Sequence, residues 1–318
     1  MRFSDALVVL AAAAAGTAYW FWSQPPEPMG ERRVAQVAIS PSGKWFAAGS
    51  IEGRYAVWPQ SKPDRAEHFH IANGTPRAIA FSPDEKYLII AHSGGLSVQS
   101  VQEMRAPRSL RSGVGFRAVT FAPHGKSVLA VTDNGTAEWW NYETAEGRAE
   151  ACCGTPDGAL AFSPQGHLIA ASGGEPALWD AHSRERIARL TGDGERSTFG
   201  PIAFDDARNW ILMGSRDGRV YAWDAQSKVL RSKSPEPAGA VDSVAVLKNS
   251  SWIVLDKTSA PLHMWNPDTG EMRSLDALPY SNVVAGPQPA SVLFGNYAGS
   301  VELWNAETGA VLSRFTLH

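Results

Sequence analysis

Cysteine is almost missing from this chain: 318 residues hold two, Cys152 and Cys153, side by side. Neighbouring cysteines do not reach ordinary disulfide geometry without strain. "ACCGT" builds neither a zinc site nor a haem-attachment motif. The pair therefore reads as small buried thiols and leaves the compartment open. An excess of one charge is missing too. Lys and Arg total 29 against 32 Asp and Glu, for a net charge of −3, so no global field draws the protein onto nucleic acid.

The chemistry-bearing motifs are equally scarce. The sequence has no nucleophile elbow, no carboxylate pair at a strand tip, no zinc-type spacing and no phosphate-cradling loop. "GDGER" at Gly192 lacks the further oxygen ligands of a calcium loop. His68 and His70 share one face of an extended segment, with no third ligand nearby. The expectation is a protein that is not an enzyme, with no cofactor and no metal.

Long hydrophobic runs are limited to one. Residues 6–22, "ALVVLAAAAAGTAYWFW", carry no charge. As a helix they cover about 26 Å, slightly short of a ~30 Å hydrocarbon layer, and Arg2 can snorkel to extend the span. Tyr19, Trp20, Phe21 and Trp22 close the run where an aromatic belt would lie in a membrane anchor. A cleaved secretory signal would end at the small residues near Ala13–Ala18, but here the run continues through four aromatics, which an uncleaved signal anchor accommodates better. "SQPPEPMGERR" then stops any helix and forms a short stiff linker. The expected domains are an anchor at 1–22, a Pro-rich linker at 23–33 and a folded body at 34–318. Arg2 before the run and Arg32 and Arg33 after it give the positive-inside rule no clean answer. An N-terminal signal usually exports the chain behind it, which places the body outside the cytoplasm. Arginine outnumbers lysine 21 to 8, which with abundant alanine, glycine and proline reads as a GC-rich bacterial coding sequence. The expected location is a bacterial inner membrane, single-pass, with the body on the periplasmic side. A cleaved periplasmic form and a cytoplasm-facing form are the alternatives.

What the body has in abundance is repetition. "IAFSPDEKYLII" at Ile79 returns as "VTFAPHGKSVLA" at Val119, "LAFSPQGHLIAA" at Leu160 and "IAFDDARNWILM" at Ile202. Each copy runs from an apolar triplet through a polar turn into a hydrophobic strand, then a Gly-containing hairpin, then a strand ending in Trp. The marker positions are Trp58, Gln99 in place of a Trp, Trp140, Trp179, Trp223, Trp265 and Trp304, stepping by 41, 41, 39, 44, 42 and 39. Seven such units fill residues 34–318. A four-stranded sheet cannot bury both faces alone, so the units must stack on one another, and a closed ring leaves no end exposed.

The innermost strand, squeezed between neighbours, is expected to be apolar on both faces. Triplets such as Val37-Ala38-Ile39, Ile79-Ala80-Phe81 and Ile202-Ala203-Phe204 fit, with a small residue between two large ones. Asn134-Gly135 and Asp217-Gly218 predict two-residue hairpins. "GAVLSRFTLH" supplies an outer strand for the last unit, so that unit is expected to be complete without borrowing a strand from the N-terminal side.

"SPSGKWFAAGSIEGRYAVW", "SPQGHLIAASGGEPALWD" and "DDARNWILMGSRDGRVYAWD" resemble blades of the WD-repeat family, and the resemblance covers everything after residue 33. Two units end in a literal Trp-Asp and the last two in Trp-Asn, while the Gly-His opening of many family repeats is absent. The resemblance implies an all-β, seven-bladed β-propeller of four-stranded antiparallel blades, here preceded by one N-terminal hydrophobic helix. It also implies a non-catalytic platform for other proteins; the run at 6–22 would tether that platform to the lipid bilayer, in one version as an extrinsic subunit of a membrane complex. The competing reading is an exported enzyme or small-ligand sensor using the channel mouth.

Two groups of side chains are candidates for partner binding. The positions two before each triplet, Ala35, Arg77, Arg117, Gly158, Gly200, Asp242 and Ser281, should ring one channel mouth. Arg77 and Arg117 would then face Asp242, with Asp157 nearby, a polarised rim suited to an acidic segment; the plain alternative is a solvated mouth with ordinary charges. "MRAPRSLRSGVGFR" sets Arg105, Arg108 and Arg111, with Arg117, along the outer strand of the second unit and the loop after it. These arginines suit anionic headgroups or an acidic partner, or they guard a sheet edge, as Pro107 also does.

Overall fold

The computed structural model describes residues 33–71, 74–124, 126–150, 153, 158–191, 198–235, 239–257, 261–277, 281–296 and 298–317. The 6–22 segment with its Tyr19–Trp22 cluster, Cys152, Asp157 and the "GDGER" turn lie outside these residues. Among the described residues no helix is long and apolar enough to cross a membrane, and Pro63–Arg65 forms a single 3-10 turn.

The described residues form seven four-stranded antiparallel sheets, each from four consecutive strands. The blades span residues 34–70, 76–112, 116–150, 160–189, 199–233, 241–275 and 284–316. Strand register confirms the Trp alignment. On the second strand, Phe46, Leu88, Val128, Ile169, Ile211, Ile253 and Val292 stand opposite Trp58, Gln99, Trp140, Trp179, Trp223, Trp265 and Trp304. The repeated serine after the triplet closes the turn into the second strand. There the hydroxyls of Ser40, Ser82 and Ser163 accept the N–H of Trp45, Tyr87 and Leu168.

Stacking uses the two-residue period of a strand. In blade 2, Leu88 and Ile90 join a core with Ala47, Tyr55 and Val57 of blade 1, while Ile89 and Ala91 join one with Phe116 and Val128 of blade 3. Seven such cores are found, one between each pair of neighbours, and one of them sets Val37 and Trp58 of blade 1 against Leu293 and Leu303 of blade 7. The ring is therefore closed. Among the described residues blade 7 takes its four strands from 284–316, with none exchanged from another blade.

Two expectations need correction. The second strands, not the innermost ones, are buried throughout: Tyr87–His92, Ser127–Thr132 and Trp210–Ser215 are buried beyond their first residue, whereas Ala78–Ala80 and Ala118–Thr120 are half-exposed. The innermost strand faces a solvent-filled channel, so the most enclosed position moves one strand outward. The hairpins at Asn134-Gly135 and Asp217-Gly218 are three-residue loops: only the glycines take positive φ (+85° and +90°), and the pairs that close them are Thr132 with Thr136 and Ser215 with Arg219. A three-residue loop whose last residue is a left-handed glycine is the bulged form of hairpin loop.

The connections differ between the two faces. On the face where the innermost strands begin, the links between blades vary from three residues (113–115) to nine (151–159 and 190–198). On the opposite face the turns between first and second strands keep four to six residues.

Candidate functional site

The innermost strands enclose a cavity of about 750 Å³ to which every blade or the link leading into it contributes. Arg77, Arg117 and Asp242 all line it, as do Gly158 and Gly200, while Ala35 and Ser281 fall outside the lining. The wall between the charged residues is apolar, with Val119, Leu160, Ile202 and Val244. Arg77 and Asp242 are exposed, so the cavity opens to solvent. Its lining contains neither histidine nor cysteine.

The two arginines meet at one residue. Asp133, in the central hairpin of blade 3, pairs through its carboxylate with Arg77 of blade 2. Its main-chain carbonyl accepts a hydrogen bond from Nη2 of Arg117 at 2.5 Å. Sequence reasoning missed Asp133, because a hairpin aspartate is ordinary turn chemistry. It also missed Arg216 of blade 5, which reaches the lining from a hairpin and not from a triplet-flanking position. Gln36 and Asn282 add amide groups from the two blades that close the ring.

The remaining arginines separate. Arg108 donates to the carbonyls of Tyr142 and Glu143 in blade 3, at 2.6 and 3.1 Å. Arg105 lies 3.6 Å from Glu103 with both side chains well exposed. Arg111 is exposed at the outer strand, opposite Leu96. Arg117 leaves this group for the channel. His68 and His70 are exposed on the outer strand of blade 1, and among the described residues no cluster of His, Cys, Asp or Glu has the makings of a metal site. Cys153 is buried between blades 3 and 4 with Leu129, Val131 and Ile169.

The face opposite the channel mouth is stitched from blade to blade. Ser42 bonds Glu85, His124 meets the Gln165 carbonyl, Gln165 bonds Asp206, Arg208 clasps Asp268, and Ser250 bonds Glu307. Arg108 bridges blades 2 and 3, and Gly43 of blade 1 packs under Pro287 of blade 7. These side chains are thereby committed to the ring itself.

The marker indoles differ in their pairing. Trp140 and Trp304 donate to the glutamates two residues before them, Glu138 and Glu302, and Trp223 donates to the Thr191 carbonyl. The buried Nε1 atoms of Trp179 and Trp265 find no hydrogen-bond partner.

No protein-family model matches the chain. Among curated proteins it is similar to target of rapamycin complex subunit wat1 of Schizosaccharomyces pombe, 23% identical over 46% of this chain and 48% of the relative. It is similar to transducin beta-like protein 3 of Bos taurus, 24% identical over 72% of this chain and 32% of the relative. The WD repeat-containing protein SL1-17 of Schistosoma mansoni is 25% identical over 44% of this chain and 47% of its own length. The chain thus spans about half or less of the relatives it matches. Seven four-stranded blades and WD-repeat relatives at low identity together support a WD-repeat β-propeller.

Proposed function

We propose that this protein is a non-catalytic interaction platform, a propeller hung from a membrane by residues 6–22 that presents its channel-mouth face to other proteins. The asymmetry between the two faces carries the reading. Both faces bond blade to blade, but the channel-mouth face also holds the open cavity, the exposed charges of Arg77 and Asp242 and the longest connections. A rigid scaffold with variable loops on one side is how binding surfaces are commonly arranged. One relative is named as a subunit of a complex, which agrees with a role in assembly, although fold likeness alone assigns no partner.

The tether supports the same role, because confinement near a bilayer raises the local concentration of membrane-bound partners. We place the propeller on the periplasmic side of a bacterial inner membrane, as an extrinsic subunit of a larger complex. Purification from gently solubilised membranes tests the platform: a stoichiometric membrane partner is expected, and a bare monomer would overturn it. Protease added to intact spheroplasts tests the side, since a periplasmic propeller is cut and a cytoplasmic one is spared. The mass of the mature chain distinguishes an uncleaved anchor from a cleaved signal.

The meeting of Arg77, Arg117 and Asp242 on one cavity supports a second reading, a sensor of small anions at the channel mouth. A saturable rise in Tm with succinate, lost on Arg117→Ala, would favour it.

A further inference from the structure

We propose that Arg77 and Arg117, held side by side by Asp133, form a carboxylate clamp at the channel mouth, and that its occupant is an acidic peptide segment of the protein partner. The inference rests on the platform reading and deepens it by assigning the chemistry of the partner.

Asp133 acts as the positioning residue. Its side chain takes Nη1 of Arg77 across the boundary between blades 2 and 3, and its carbonyl takes Nη2 of Arg117 at 2.5 Å. Two guanidinium groups repel each other, and a carboxylate bound to one with a carbonyl bound to the other keeps both in place. A guanidinium carries five N–H donors, so the bond to Asp133 leaves Arg77 with donors to spare. Its side chain is 39% exposed at the mouth. The planar fork matches a carboxylate in two-point contact. Because folding has already fixed the arginine geometry, binding loses less freedom than it would with two loose side chains.

The opposite wall sets polarity. In a ring of seven, blade 6 stands across from the junction of blades 2 and 3, so Asp242 faces the clamp across the cavity. An acidic segment is drawn to the clamp and held off by Asp242, while Arg216 of blade 5 adds a third cation to the same lining. The apolar lining of Val119, Leu160 and Ile202 keeps the walls of low dielectric and focuses the field. The cavity of about 750 Å³ falls within the range of pockets that enclose a compact ligand, roughly 300–1,000 Å³.

The test uses the full chain in detergent and a fluorescein-labelled hexaglutamate peptide, read by anisotropy at low salt. Hexaglutamate should bind and hexalysine should not, with affinity falling as salt is raised. Arg77→Ala and Arg117→Ala should each weaken binding about tenfold, and Asp242→Asn should tighten it about threefold. Asp133→Asn should weaken binding although it removes a negative charge, which a purely electrostatic attraction would not do. Near-UV circular dichroism of each variant checks the fold, and Arg105→Ala serves as the control expected to change nothing. Unchanged binding in Arg77→Ala and Arg117→Ala, or weaker binding in Asp242→Asn, would overturn the clamp. Failure of hexaglutamate to bind, with Arg117-dependent capture by phosphatidylglycerol vesicles instead, would overturn the peptide assignment. If a membrane partner co-purifies and Arg77→Ala and Arg117→Ala leave its recovery unchanged, the clamp fails while the platform stands. If hexaglutamate binds as expected but no partner is recovered, the platform fails while the clamp stands.

Discussion

Asn282 closes the ring on Val37. Its Oδ1 accepts the Val37 N–H at 2.7 Å and its Nδ2 donates to the Val37 carbonyl at 3.0 Å, across 245 positions of sequence. A primary amide presents one acceptor and two donors beside each other, so Asn282 does for the innermost strand of blade 1 what a paired strand residue would do. The rest of the seam is close packing. A Cβ on Gly295 would collide with the Val34 side chain, and one on Gly43, at φ +78°, would collide with the Pro287 ring.

Asn282→Ala should therefore weaken the seam more than a typical surface change. It strands the N–H and C=O of Val37, groups whose loss of partners costs about 2–3 kcal/mol together. That corresponds to a fall in Tm of about 3–5 °C for a domain of this size. Asn282→Asp keeps the acceptor but sets a carboxylate against the Val37 carbonyl, so it should not rescue. Differential scanning calorimetry gives the loss, and hydrogen exchange should show Val34–Ile39 opening ahead of the other innermost strands. Uniform exchange across all seven blades would rule out a special role for this seam.

This seam marks the boundary of what the sequence discloses. The blade count, the Trp register and even the equivalence of Gln99 with the tryptophans follow from a spacing near 41 residues, because each blade is a local unit. Arg77, Arg117 and Asp242 were legible for the same reason, as each holds a fixed offset from a triplet. Asn282 and Asp133 were not. Asn282 and the Asp133 carboxylate find their partners in other blades, and neither residue differs in type from an ordinary loop amide or turn carboxylate. Burial of the innermost strands was misjudged because apolar pattern does not distinguish a neighbouring blade from a water-filled channel.

Arg208 is expected to be the most sensitive charged residue on the stitched face. It bonds the Asp205 carboxylate at 2.7 Å within blade 5, reaches both oxygens of Asp268 in blade 6, and lies over the Trp210 ring at 5.7 Å. Its hydrogen bond holds the Asp268 carboxyl below the usual range. The Asp205 side chain is 1% exposed, so removing Arg208 strands a buried charge. Arg208→Ala should cost about 3 kcal/mol in urea unfolding. Arg208→Lys should recover only a minor part, since an ammonium cannot make the two-point contact.

His92 predicts a loss of stability in mild acid. Burial holds its pKa below the ordinary 6.5, and its ring is tied on both sides: Nδ1 accepts the Gly94 N–H at 3.3 Å and Nε2 pairs with Ser97 Oγ at 3.0 Å. The folded state therefore binds the proton less readily than the unfolded chain. His92 contributes its stability above pH 6.5, and that contribution is lost as pH falls from there through the lower folded value. Unfolding free energies at pH 7.5, 6.5 and 5.5 should decline for the parent and decline less for His92→Gln. Parallel curves would remove His92 from the account.

The one marker position without a tryptophan should behave as a coupled polar pair. Tyr55 of blade 1 is fully buried and donates its hydroxyl to Gln99 Oε1 of blade 2 at 2.6 Å. An indole at position 99 would offer that hydroxyl no acceptor oxygen, which is the physical reason for glutamine here. Tyr55→Phe or Gln99→Leu alone leaves a buried group unpaired, at about 1–2 kcal/mol each. The double variant removes both partners and should be more stable than the sum of the single losses predicts, by about 1 kcal/mol. Burial also raises the pKa of the Tyr55 hydroxyl above the ordinary 10.0. Its contribution is therefore complete below pH 10.0 and is lost as pH climbs from there toward the raised folded value. Tyr55→Phe should flatten that alkaline decline. Strict additivity in the cycle, with an unchanged alkaline limb, would mean that the hydroxyl and the amide do not act together.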